Sequence, residues 1–210
     1  MTLFRLDASI LPAASTSAEI ADIVEARWIA AHPGEQVVRR HLGADPLPAD
    51  AWANATVATF TPEAEHTAGQ REALALAREL AEELQSADAV ILAVPLYNFG
   101  VSQHFKAWVD LVIAGAGPTN PVLKGTPTVL ATVRGGGYGP GTPREGWDHS
   151  TPYLKRILED VWQADLTLVE RELTLAANTP GMEGLRELAS ELHGKALDAA
   201  HEAGAGISAG

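Results

Sequence analysis

Three short segments of this 210-residue chain carry residue types able to bind and tune a small molecule. The first is Ser9, followed by Ser15-Thr16-Ser17 just ahead of an apolar, helix-periodic stretch. One hydroxyl is enough to cap a helix. Three in a row, with a fourth nearby, favour an anion such as a phosphate held by free N–H groups and the positive end of a helix dipole. No glycine lies between Ser9 and Ser17, which argues against a Walker loop and a dinucleotide fingerprint. The second segment, Pro95-Leu96-Tyr97-Asn98-Phe99-Gly100, offers flat apolar groups and one amide. The third, Arg134-Gly135-Gly136-Gly137-Tyr138, offers bare backbone for close approach, a fixed positive charge and a ring.

For these segments to meet, the chain must present them at one edge, and its patterning does so. Short β-branched runs alternate with helical periods, the sign of an α/β protein with a parallel sheet. Strands are expected at Leu3–Asp7, Glu35–Leu42, Ala89–Val94, Thr126–Val133 and Asp165–Leu175. The run Ala89–Val94 is apolar on both faces, as a central covered strand requires. Helices are expected from Thr16, in a capping box with Glu19, to about Pro33; from Thr67, capped with Gln70, to Ser86; after Ser102; over Thr151–Trp162; and over Glu183–Glu202. The stretch around Pro46 and Pro48 has no assignment, and residues 204–210 (GAGISAG) read as a frayed tail. The result is a single (βα)₅ domain over residues 1–210, a three-layer sandwich whose five-stranded parallel sheet is expected in the flavodoxin-like order 2-1-3-4-5. Ligands in such sheets bind beyond the carboxyl ends of the strands, where all three segments fall.

Composition removes several classes of function. With 15 Lys+Arg against 27 Asp+Glu the formal charge is −12, which disfavours a nucleic-acid partner. Cysteine is absent, so thiol catalysis, disulfides and Fe–S clusters are excluded. The histidines have no ligand-like spacing, and no metal is expected. The start MTLFRLDASILP lacks a signal peptide's basic head and uninterrupted apolar core, and no apolar run is long enough to span a bilayer, so a cytoplasmic protein is expected. His104 and His149 flank the expected site and read as polar rim residues.

Taken in order, the motifs resemble the FMN-dependent azoreductase and quinone reductase family of flavodoxin-like oxidoreductases. Ser9 and Ser15-Thr16-Ser17 match the family's phosphate-holding serines, and Pro95-Leu96-Tyr97-Asn98-Phe99 matches its Pro-Met-Tyr-Asn-Phe along the flavin ring. Val133-Arg134-Gly135-Gly136 matches Ser-Arg-Gly-Gly, which reaches the pyrimidine side. Tyr138 stands where relatives often carry a histidine near the substrate, and Thr151-Pro152-Tyr153-Leu154 matches a family helix start. Two departures are visible: Val133 in place of serine, and a segment Gly115–Lys124 that is short and has no aromatic residue where relatives carry an aromatic lid.

The resemblance implies a two-step hydride shuttle, from NADH or NADPH through FMN to a quinone, nitro or azo acceptor, in which the cofactor supplies the reactivity. Arg134 is then expected to stabilise negative charge on the reduced flavin, with Tyr138 on the substrate side. A homodimer with active sites at its interface is implied as well, and Trp108 and Trp162 suit either a core or an interface. Two alternatives stay open: an acidic FMN-bound electron carrier with no nicotinamide reaction, and a diverged member with altered flavin use in a specialised pathway.

Overall fold

The computed structural model of the chain describes residues 1–208, with Pro12 lacking a described side chain. Five parallel strands, β1 (Thr2–Asp7), β2 (Gln36–His41), β3 (Ala89–Ala93), β4 (Pro127–Val133) and β5 (Asp165–Arg171), pair in the order β2-β1-β3-β4-β5. This is the expected flavodoxin-like order. β3 is central and every one of its residues is buried, which accounts for its continuous apolar sequence.

Helix α1 (Thr16–Ala31) and the last helix, α6 (Arg186–Gly206), cover one face of the sheet. The other face carries α2 (Ala51–Ala58), α3 (Ala68–Gln85), α4 (Gln103–Ala116) and α5 (Thr151–Lys155), the last continuing into a wide π turn over Arg156–Val161. Trp108 lies at the centre of that second layer, with ring centroids 5.5 Å from Phe105 and from Trp162. Both tryptophans are therefore core residues. Small residues draw α1 and α6 together: a Cβ on Gly204 would stand 2.8 Å from the Cβ of Arg27.

The elements differ from the sequence expectation at four places, each for a physical reason. Ser15, not Thr16, is the N-cap of α1, its Oγ accepting from the Ala18 N–H at 3.2 Å. Glu19 then leaves the cap and turns to Arg171 and His193, at 2.8 and 2.9 Å. The unassigned stretch holds α2, whose inward positions Ala51, Ala55 and Ala58 are too small to give a strong apolar signal. β5 ends at Arg171, because Leu173 takes a positive φ of 59° and the chain turns back toward β4. The supposed frayed tail is in part the last turn of α6: Gly204 is buried against Val24 and Arg27 of α1 and the C-cap Ile207 is buried as well, while residues 209 and 210 lie outside the described residues.

The short Gly115–Lys124 connection lies at the amino ends of β4 and β5. Leu123 N–H donates to Trp162 O at 3.1 Å and Gly125 N–H to Gln163 O at 2.9 Å, so the segment does not cover this chain's own strand-end site. No helix among the described residues is long and apolar enough to cross a membrane.

The expected capping box of α3 is present: Thr67 Oγ1 accepts from Gln70 N–H at 3.2 Å, and Gln70 Oε1 accepts from Thr67 N–H at 2.8 Å. Thr67→Ala should lower the unfolding free energy by about 1 kcal/mol in chemical denaturation, since one orphan donor of the first turn loses its acceptor. An unchanged midpoint would show that solvent replaces the cap without loss.

Candidate active site

The three chemistry-bearing segments converge at the carboxyl edge of the sheet, where backbone hydrogen bonds hold them. Leu96 N–H donates to Val133 O at 2.9 Å, fixing the β3 loop to the end of β4. Thr174 and Leu175 N–H donate to Arg134 O and Gly135 O at 3.1 and 3.2 Å, folding the segment after β5 over the glycine loop. Tyr97 O–H lies 3.2 Å from both Ser9 Oγ and the Ile10 N–H, which donates to it. Gly43, after β2, packs so closely on the same loop that a Cβ there would fall 2.0 Å from Ser9 O.

Between these loops lies a cavity of about 360 Å³. Ser9, Ser15, Thr16, Pro95, Leu96, Tyr97, Val133 and Gly135 line it, as the sequence reading expects, together with Leu11, Ala14, Thr174, Leu175 and Asn178. A cavity of about 270 Å³ adjoins it through the shared residues Leu96, Tyr97, Gly135 and Leu175. Asn98, Gly136 and Tyr138 line this second space, with Arg144, Thr179 and Met182. One end of the pair is thus hydroxyl-rich and set at the mouth of α1, and the other is lined by rings and bare backbone.

The turn between the cavities is tight. Tyr97 and Gly100 exchange both backbone hydrogen bonds at 2.9 Å, and Asn98 and Phe99 between them have φ of 46° and 70°. Asparagine tolerates that conformation; for phenylalanine it is strained. The strained Phe99 side chain stands outward, 40% exposed, edge-on to Trp147 and Tyr138 at centroid distances of 5.6 and 6.4 Å. It lines neither cavity.

Four other residues named from the sequence lie outside both cavities. Ser17 is fully buried, and its hydroxyl lies 3.1 Å from Ser15 Oγ, so it supports Ser15 and does not line the cavity. His104 lines a separate space of about 420 Å³ on the far side of Tyr97 and Asn98, and His149 is tied by its backbone N–H to Phe99 O at 2.9 Å. Arg134 is the main correction. Its Nε donates to Asp148 at 2.6 Å, one Nη to Glu172 at 3.4 Å, and the other to Thr151 Oγ1 at 2.7 Å and to Glu170. Three carboxylates enclose the guanidinium, so it offers no free positive charge to either cavity.

The residues that sequence reasoning missed, Thr174, Leu175, Asn178, Thr179 and Met182, follow the early end of β5. The turn-forming Asn178-Thr179-Pro180-Gly181 was the available signal. Arg144 was missed too; it stacks on Tyr138, with Cζ 5.8 Å from the ring centroid, and has no carboxylate partner among the described residues. Among the described residues no cluster of three or more His, Asp or Glu is arranged to hold a metal ion.

Burial opposes ionisation of Asp148, but hydrogen bonds from Thr151 and Ser150 and the charge of Arg134 outweigh it and hold the carboxyl below its ordinary value. A depressed folded-state pKa contributes stability that is present above the unfolded value and lost as pH falls through the folded one. Asp148→Asn should therefore be less stable than the parent at neutral pH, the gap narrowing as pH falls below about 4. Unfolding midpoints measured from neutral pH to about pH 3 test this; a gap that widens in acid would contradict it.

A family model described as flavodoxin-like fold matches residues 1–194 of the chain. An FMN-dependent NADH:quinone oxidoreductase of Frankia alni is 40% identical over 185 residues, 86% of this chain and 87% of that one. One from Streptomyces avermitilis is 40% identical over 199 residues, 93% of this chain and 91% of that one. Among solved structures, an FMN-dependent NADH-azoreductase from Bacillus anthracis in complex with FMN superposes with a TM-score of 0.80 at 15% identity, covering 99% of this chain and 100% of that one, a likeness of fold. Strand order, the placement of the motifs and these relatives agree: the chain belongs to the flavodoxin-like family of FMN-dependent NADH:quinone oxidoreductases.

Proposed function

We propose that this chain binds FMN in the paired cavities and works as an NAD(P)H:acceptor oxidoreductase by a ping-pong sequence, with quinones, and also azo and nitro compounds, as acceptors. The observation that carries this reading is the continuity of a hydroxyl-lined space at the mouth of α1 with a second space walled by Leu96, Tyr97 and bare glycine backbone. A planar ring with a phosphate-bearing tail matches both ends. The relatives named for FMN-dependent quinone reduction support it.

When bound, FMN supplies the redox chemistry, accepting hydride from the nicotinamide nucleotide and passing it to the acceptor. The protein's part is binding and positioning. Ser9, Ser15, Thr16 and the first-turn N–H groups of α1 would hold the phosphate, with Ser17 steering the Ser15 hydroxyl. Pro95, Leu96, Tyr97, Asn98 and the backbone of Val133, Gly135 and Gly136 would hold the ring. In this reading Arg134 is a positioning residue: its ties to Asp148, Glu170 and Glu172 fix the Gly135-Gly136 backbone against the segment after β5. Tyr138 and Arg144 face the acceptor side, and Phe99 with Trp147 forms an aromatic rim.

The reading includes a homodimer with the site at the subunit interface, in the cytoplasm. Ile10 and Leu11 beside the first cavity are 48% and 61% exposed, and Phe60 after α2 is 86% exposed, apolar surface that a second copy would cover.

Anaerobic titration of the FMN-loaded protein with NADH and with NADPH, followed by reoxidation with a quinone panel and an azo dye, tests the proposal. Bleaching of the flavin absorbance by at least one nucleotide, and its return with quinone, is the expected result. Bound flavin that neither nucleotide reduces would leave the electron-carrier reading; a chain that takes up no FMN would remove both.

A further inference from the structure

A cavity of about 440 Å³ lies between the carboxyl end of β5 and the start of α6, with Arg171, Thr174, Arg186, Ser190 and His193 as its polar lining. It backs onto the segment that closes the proposed flavin site and shares only Thr174 with that site's first cavity. Nothing in the proposed reaction uses it.

Its electrostatics run against those of the molecule. In a chain of formal charge −12, two arginines face one space. Arg171 gives one Nη to Glu19 at 2.8 Å, while its Nε is buried with no hydrogen-bond partner. Arg186 opens α6 and has no carboxylate within ion-pair distance among the described residues. α6 runs 21 residues out of a tight turn over Glu183–Leu185, in which the Arg186 N–H is given to Glu183 O, so the positive end of its dipole is a minor addition and the arginine side chains carry the charge. The carboxylate that reaches this group is Glu19, which also meets His193 at 2.9 Å; Glu187 in the first turn of α6 does not line the space. Two guanidinium charges against one carboxylate leave a local positive surplus.

We propose that this cavity is a second anion site, which binds the phosphoryl group of a small organic phosphate. Arg171 and Arg186 supply charge-assisted donors, and Thr174 and Ser190 supply hydroxyls. The volume falls in the range of small-molecule sites, and Leu173, Ala177 and Ala189 give one wall an apolar surface, so the phosphoryl group has room for an organic body beside it.

Calorimetric titration of the FMN-loaded protein with AMP, adenosine and inorganic phosphate, at low salt, tests this. One AMP per chain should bind, inorganic phosphate more weakly and adenosine not at all, with FMN retained throughout. Arg186→Gln should weaken AMP at least about fivefold, Arg186→Lys should restore part of the loss, and Ser190→Ala should weaken it less. Arg186 and Ser190 are exposed, so these variants keep the fold. Inorganic phosphate binding as tightly as AMP would mean that free phosphate is the ligand and overturn the organic-body part of the proposal. Absence of AMP binding up to about 10 mM, indifference to Arg186→Gln, or displacement of FMN by AMP would overturn the site itself. If the isolated chain retains no FMN, the flavin reading fails on its own, and AMP binding that Arg186→Gln abolishes still supports this site.

Discussion

The positive end of α1, placed at the ligand edge of an acidic sheet, is the feature on which the rest of the architecture depends. Ser15 caps it, and Ser15, Thr16 and Ser9 line the cavity between the strand-end loops. No arginine or lysine lines that cavity. Arg5 is tied to Asp7, Asp22 and Glu25, Arg134 to three carboxylates and one Nη of Arg171 to Glu19, while Arg144, which has no carboxylate partner among the described residues, lines the adjoining cavity instead. An anion entering there meets neutral donors and a helix dipole and no countercharge on a side chain.

A cradle of neutral donors works only if its geometry is fixed beforehand, because weak dipoles gain little from a loop that must reorganise. The structure fixes it by backbone pairing between loops. The β3 loop is bonded to the end of β4, the segment after β5 is bonded to Arg134 and Gly135, and the Tyr97 hydroxyl ties the β3 loop to the loop after β1. The Arg134 cluster belongs to this framework: it spends charge inside the protein to hold the glycine backbone in place. That also explains why two uncommitted arginines, Arg144 and Arg186, stand out where they face open cavities.

The sheet was legible because its signals are local. The apolar run of β3, the Thr67–Gln70 capping box and the glycine loop after β4 each lie within a few residues, and topology rules then leave few arrangements. α2 was hidden because its buried positions are alanines behind two prolines, and the end of α6 because Gly204 looks like part of a tail in sequence but fits a close contact with α1 in space. Among the site residues, the hydroxyls at α1 and the Pro95–Asn98 segment were readable by type and place. The environment of Arg134 was not, since Asp148, Glu170 and Glu172 reach it only through the fold. The loop after β5 was obscured by a strand expected to continue to Leu175.

The affinity of the protein for FMN as a function of ionic strength tests the central claim most directly. If an uncharged cradle holds the phosphate against the field of a chain of formal charge −12, screening that field between about 20 and about 500 mM salt should leave the dissociation constant unchanged or lower it. A dissociation constant that rises steadily with salt would mean that side-chain cations hold the anion, and would contradict this account.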